Sequence, residues 1–179
     1  MTSLCGLQCR KYQGPSTELP PITQEGKNTF GCKIDGKVWV PYYSCIGFSA
    51  NPCGELAVNV FRTNKDSSFP VSFSIKAGQK ARDNSFNSFT IETPTNKGIF
   101  GTGNKFDSLE IHFLRPVVQF YENYNYYQKQ EKFEITRLDF NNKIISGVFE
   151  FTLYKSMTDS IKITEGRFDL KFSVCKCSR

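Results

Sequence analysis

Seven cysteines and one histidine are the residues whose type and spacing could do chemistry: Cys5, Cys9, Cys32, Cys45, Cys53, Cys175, Cys177 and His112. A structural zinc site takes two closely spaced Cys pairs or one pair with added histidines. A single Cys-x-Cys at 175–177 with one distant His does not meet that requirement, so no metal is expected. Disulfides or buried thiols are the favoured reading, in a compartment that permits them. The spacing in "CIGFSANPC" leads us to expect a small loop closed through Cys45 and Cys53. Cys175 and Cys177, two apart on an extended tail, point the same way, so either is placed to reach Cys32. If Cys5 and Cys9 both belong to a signal junction, five cysteines remain and one stays unpaired.

His112 lies in "LEIHFL" beside Glu110, at an expected outward strand position. A Ser-His-Asp site needs a histidine to shuttle the proton, and the G-x-S-x-G turn that presents such a serine is missing. Gly98, Gly101 and Gly103 precede Lys105, but a phosphate loop opens a helix and strand follows here. Asp139 and Asn141 have calcium-loop spacing, yet Ile144 sits where that loop's turn requires Gly. Neither motif is assigned a ligand, and no cofactor is expected. A carboxylate pair for glycoside hydrolysis is the least favoured reading. The acids mostly take alternating outward places such as Glu110, Glu134, Glu150 and Asp169. The surface candidate is "FYENYNYYQ", with Tyr121, Tyr124, Tyr126 and Tyr127. Rings with polar tips can stack on a glycan or anchor a protein partner. The competing reading is an irregular edge strand whose rings cover their own sheet.

The elements that must position these residues read as strands. With 179 residues, 17 of them Phe and 8 Tyr, the chain fits one domain with a substantial core. Period-2 alternation dominates from Thr29 onward. Asp35-Gly36 between alternating runs predicts a hairpin that pairs Ile34 with Lys37, Cys32 with Trp39 and Phe30 with Pro41. Asn141-Asn142 predicts a second tight turn, and Glu165-Gly166 a third. Candidate core residues include Phe30, Cys32, Trp39, Val58, Val60, Phe73, Ile75, Phe89, Ile91, Phe149, Phe151, Leu153, Ile161, Ile163, Phe168, Leu170 and Phe172. The expected fold is all-β: one antiparallel sandwich or barrel of about ten strands, mostly hairpin-connected. The net charge of +6 comes from scattered residues with no basic run, so no nucleic-acid partner is expected. No run of 18 apolar residues is present.

"TSLCGLQC" looks like the end of a signal peptide, and "RKYQGPSTE" like a polar tether. Residues 1–27 are therefore expected to be signal remnant and flexible tether, and residues 28–179 a single β-domain. The stretch from Leu19 carries Leu19, Pro20, Pro21, Thr23, Gln24, Gly26, Asn28, Thr29, Phe30, Gly31, Cys32, Gly36 and Trp39. This pattern resembles the start of a family of short Bacteroidota cell-envelope lipoproteins of unknown function. "FEITRLDFNNKIISGVFEFTL" and "DSIKITEGRFDLKF" are similar to that family's closing strands. The resemblance implies an exported, lipid-anchored protein of the cell envelope, at the outer membrane, touching the membrane only through its anchor. It brings no enzymatic activity. Cys9 is the expected lipid-attachment residue, with Cys5 second. Ser108 in "DSL" and Ser160 in "DSI" match the short O-glycosylation pattern the resemblance suggests. The leading functional expectation is a non-catalytic domain binding a glycan or an envelope protein. An accessory protein without a ligand is the alternative, with a carboxylate-based hydrolase behind it.

Overall fold

A computed structural model describes residues 16–43, 56–62, 71–80, 86–92, 110–117, 120–125 and 132–175. The described residues form twelve strands and no helix, in place of the ten strands expected. They are β1 (Thr29–Ile34), β2 (Lys37–Trp39), β3 (Tyr42–Tyr43), β4 (Leu56–Arg62), β5 (Val71–Lys80) and β6 (Phe86–Glu92). Then follow β7 (Glu110–Val117), β8 (Phe120–Asn125), β9 (Lys132–Asp139), β10 (Ile144–Tyr154), β11 (Ser160–Lys171) and β12 (Ser173–Cys175). One hydrogen-bonded path runs β12-β4-β5-β6-β7-β8-β10-β11-β1-β2, with β3 beside β5 and β9 beside β10. Pairing is antiparallel except at β12–β4 and β3–β5. Both exceptions join strands distant in sequence, so no hairpin signal could announce them.

The hairpin at Asp35-Gly36 forms in the expected register, Ile34 opposite Lys37 and Cys32 opposite Trp39. Both turn residues have positive φ, 47° and 78°, as a two-residue loop matched to the strand twist requires. β2 ends at Trp39, so the expected Phe30–Pro41 pair does not form; on its other side Phe30 lies opposite Phe168 of β11. A turn also forms at Asn141-Asn142, joining β9 to β10, but it spans residues 140–143 and its left-handed residue is Lys143, φ 56°.

At Glu165-Gly166 the expected turn is replaced by a bulge inside a continuous β11. Gly31 and Lys33 of β1 face Arg167 and Thr164, and Phe149 and Phe151 of β10 face Gly166 and Ile163. Each neighbour thus spends one residue where β11 spends two. A strand hydrogen-bonded on both sides cannot reverse; it absorbs a left-handed residue as a bulge and bends. Glu165 takes that conformation, with φ 51°. Gly166 has no alternative: an added Cβ would run into the Phe149 ring.

The core lies between two halves of the curled sheet. The Phe30 ring of β1 sits 5.7 Å from that of Phe89 in β6 and 5.3 Å from that of Phe149 in β10. Phe73 of β5 stacks on Phe133 of β9 at 5.7 Å. The alternating residues picked out in the sequence bury here, including Val60, Ile75, Ile91, Leu153 and Ile163. Cys32 is a buried free thiol among them, which corrects the expected link to Cys175 or Cys177. Burial also raises its pKa far above that of an exposed thiol, so it stays protonated and unreactive.

Candidate functional site

The most developed polar arrangement is built around Asp169, at a position that strand alternation assigns to the outer face of β11. Solvent should reach it, but it is 1% exposed, and Ser146, directly opposite on β10, is 0% exposed. The expectation of an outward, solvated Asp169 is thereby corrected. The cover is the chain's own N-terminal segment. Residues expected to belong to the tether lie against the sheet from Leu19 to Lys27, which moves the start of the ordered domain ahead of Asn28.

Five donors converge on the two carboxylate oxygens of Asp169. Oδ2 accepts from Thr23 Oγ1 at 2.6 Å, from the Glu25 amide at 3.0 Å and from the Lys27 amide at 3.1 Å. Oδ1 accepts from the Gly26 amide at 2.8 Å and from Ser146 Oγ at 2.7 Å. Burial by itself pushes the Asp169 pKa up. The hydrogen bonds from Thr23, Lys27, Ser146 and Gly26 outweigh it and bring it down to about 2.

The sequence folds this way because the segment supplies residues that tolerate the turn. Gly26 has φ 71°, and an added Cβ there would come within 2.9 Å of Lys171 Cγ and 3.1 Å of Ile144 Cγ1. Asn28 also takes positive φ, 57°, and its Oδ1 accepts from the Lys171 amide at 2.9 Å. Asn is among the few non-glycine residues that enter this region readily. Upstream, Leu19 and Pro20 rest on Gly31, where an added Cβ would lie 2.7 Å from Pro20 Cδ. Arg137 Nη1 donates to the Gln24 carbonyl, reaching the segment from β9. The quoted run of Leu, Pro, Thr, Gly, Asn and Gly is therefore a strap and the surface that receives it.

A carboxylate saturated by its own chain and shielded from water is poorly placed to take a proton from a substrate. Its geometry suits a latch. Two further clusters are exposed. Lys33 Nζ meets Glu165 Oε1 at 2.5 Å over the bulge, and this hydrogen bond is the main reason the Glu165 pKa is lowered. Asp139 caps the β9–β10 turn, accepting from the Asn141 and Asn142 amides, Asn142 Nδ2 and Arg137 Nη2. The Asn142 side chain contributes most to holding its carboxyl well below the usual carboxylate range.

Most of the sequence-predicted site residues fall elsewhere. Cys9, Cys45, Cys53, Ser108, Tyr126 and Tyr127 lie outside the described residues, as do Cys5 and Cys177. Ser160 opens β11 and is exposed. Tyr121 and Tyr124 lie on β8, which pairs with β7 in continuous register and is not the irregular edge strand of the competing reading. Register places position 124 in a row with positions 113 and 89, while position 121 lies opposite Pro116, an odd number of residues away. The two tyrosine positions therefore belong to opposite faces of the sheet. His112 lies on β7 opposite Thr90 and Asn125, and the described residues bring no group of three or more His, Cys, Asp or Glu together as a metal site. The Asp169 latch escaped sequence reading; its signal was the pair of turn-tolerant residues, Gly26 and Asn28, two positions apart ahead of β1. Comparison with protein-family models, with curated proteins and with solved structures gave no match.

Proposed function

We propose that this chain is an exported, non-catalytic β-domain of the cell envelope, lipid-anchored through Cys9 at the outer membrane, that presents its surface to a glycan or an envelope protein. The supporting observation is the strap. A domain held at its N-terminus receives any pull at its first ordered residues. Here the pull meets the Leu19–Lys27 segment and its five-donor latch on Asp169 before it reaches β1. Residues 10–18 then serve as the connection between anchor and fold. The face-to-face halves of the sheet favour a sandwich as the finer architecture.

The non-catalytic reading rests on the same residue, because Asp169 already serves its own chain. Tyr121 is the aromatic we assign to ligand contact, with Tyr126 and Tyr127 as its companions, since Tyr124 belongs to the row of the buried Phe89. An accessory role without a ligand is the second reading, favoured by that separation of Tyr121 from Tyr124. The anchoring is tested by expressing the gene with its upstream region and fractionating membranes. The natural protein should carry lipid label and sediment with membranes, and Cys9→Ser should be released; a membrane-bound, labelled variant contradicts the assignment. A glycan-array and pull-down screen tests the binding, and loss of a detected ligand in Tyr121→Ala but not in Tyr124→Ala is the expected result.

A further inference from the structure

Strand β9 is an edge among the described residues: its one hydrogen-bonded neighbour is β10. Its eight residues, Lys132-Phe-Glu-Ile-Thr-Arg-Leu-Asp139, carry charges in antisymmetric order. Laid antiparallel against a second copy of itself about the point between Ile135 and Thr136, the strand sets Lys132 against Asp139 and Glu134 against Arg137. Each pair occurs twice across the dyad. We propose that the outer edge of β9 pairs with the same edge of a second copy of this chain, extending the sheet across a twofold axis.

A regular strand would forbid this register. Residues three or seven apart fall on opposite faces, while a twofold axis normal to a sheet opposes only residues of one face. The bulge in β9 removes the obstacle. Arg137 and Ile135 face the adjacent residues Ser146 and Gly147 of β10, leaving Thr136 as the extra residue. The alternation flips there. Phe133 and Ile135 are buried before the bulge, and Leu138 packs against the same core after it. Glu134 and Arg137 consequently share the outer face, as do Lys132 and Asp139.

The charges also select the register. Sliding the second copy by two residues sets Lys132 against Arg137, a like-charge opposition that destabilises a strand pair. Among the described residues neither Lys132 nor Glu134 has an ionic partner in its own chain. Arg137 spends Nη1 on Gln24 and Nη2 on Asp139, which leaves its Nε–H for an incoming Glu134. Edge strands are ordinarily blunted by charge. Charges in this order disfavour a slipped copy and favour a copy in this one register.

The test uses the full chain with a zero-length carbodiimide coupling reagent, followed by peptide mass spectrometry, alongside sedimentation over a range of concentrations. Lys132 and Asp139 are seven residues apart on one extended strand, about 23 Å, so a direct amide between them can only join two molecules. The expected result is a concentration-dependent dimer carrying the Lys132–Asp139 link. Glu134→Arg and, separately, Lys132→Glu should each raise the dimer dissociation constant about tenfold with the β-sheet circular dichroism retained. A monomer at every concentration, a dimer whose links lie elsewhere, or a dissociation constant unchanged in both variants would overturn the proposal.

Discussion

Asp139 and Asp169 are two carboxylates with nearly the same hydrogen-bonding task and opposite reach. Asp139 accepts from residues two and three positions away and shapes one exposed turn. Asp169 accepts from residues 142 to 146 positions away in sequence and fixes a whole segment to the outer face of the sheet. Both are acidified by the bonds they accept. Loss of Asp139 alters a turn that β9 and β10 hold together on their own. Loss of Asp169 uncovers Ser146 and frees the strap. A hydrogen bond counts for more where burial raises the cost of leaving its partners unmet.

The sharpest way to break the comparison is Asp169→Asn. One oxygen becomes an amide that points its own hydrogens at N–H and O–H donors. A loss of about 2–4 kcal/mol in unfolding free energy is expected by chemical denaturation. An acid titration comes next. The pKa of Asp169 is about 2 when folded, below its ordinary value of 3.8, so its stabilising contribution is full above about pH 4. It is lost as the pH falls through 4 toward 2, amounting to about 2 kcal/mol. Asp139, also held below its ordinary 3.8, adds a loss of the same sign that begins over the same pH range and continues to lower pH. In Asp169→Asn the slope between pH 4 and pH 2 should be shallower than in the natural protein. Thr23→Val keeps the shape of one strap residue and removes one of five donors, so a loss of about 1 kcal/mol is expected in the same denaturation experiment. Asp139→Ala should lower the melting temperature by less than any of these, because solvent can replace its bonds at the exposed turn; a drop matching Asp169→Asn would erase the contrast.

What the sequence made legible follows the same division between local and distant. Asp35-Gly36 announces its hairpin because both residues tolerate positive φ and the alternating runs lie on either side. Asn141-Asn142 marks the turn between β9 and β10, although the left-handed residue that closes it is Lys143, φ 56°. The buried faces were legible because Phe149, Phe151 and Leu153, or Ile161 and Ile163, recur at period 2. Glu165-Gly166 has the same local chemistry as a turn, but β1 and β10 pair with β11 on both sides and keep it a continuous, bulged strand, a fact carried by residues far away in the chain. Asp169 in "RFDLKF" looks solvated because alternation reveals the face of a residue and is silent on what later lies over that face. The Tyr-rich stretch reads as irregular and yet its described part, Phe120–Asn125, forms β8, where pairing with β7 outweighs the weak propensity of Asn and Glu for strands.

The latch is tested most directly by amide hydrogen exchange at Glu25, Gly26 and Lys27, the three backbone donors to Asp169. These amides lie outside every strand and would exchange freely if the segment were a tether. Held by the latch, they should be protected to nearly the level of the core of β11 and lose that protection together in Asp169→Asn. Exchange at free-peptide rates in the natural protein, with β11 still protected, would contradict the latch.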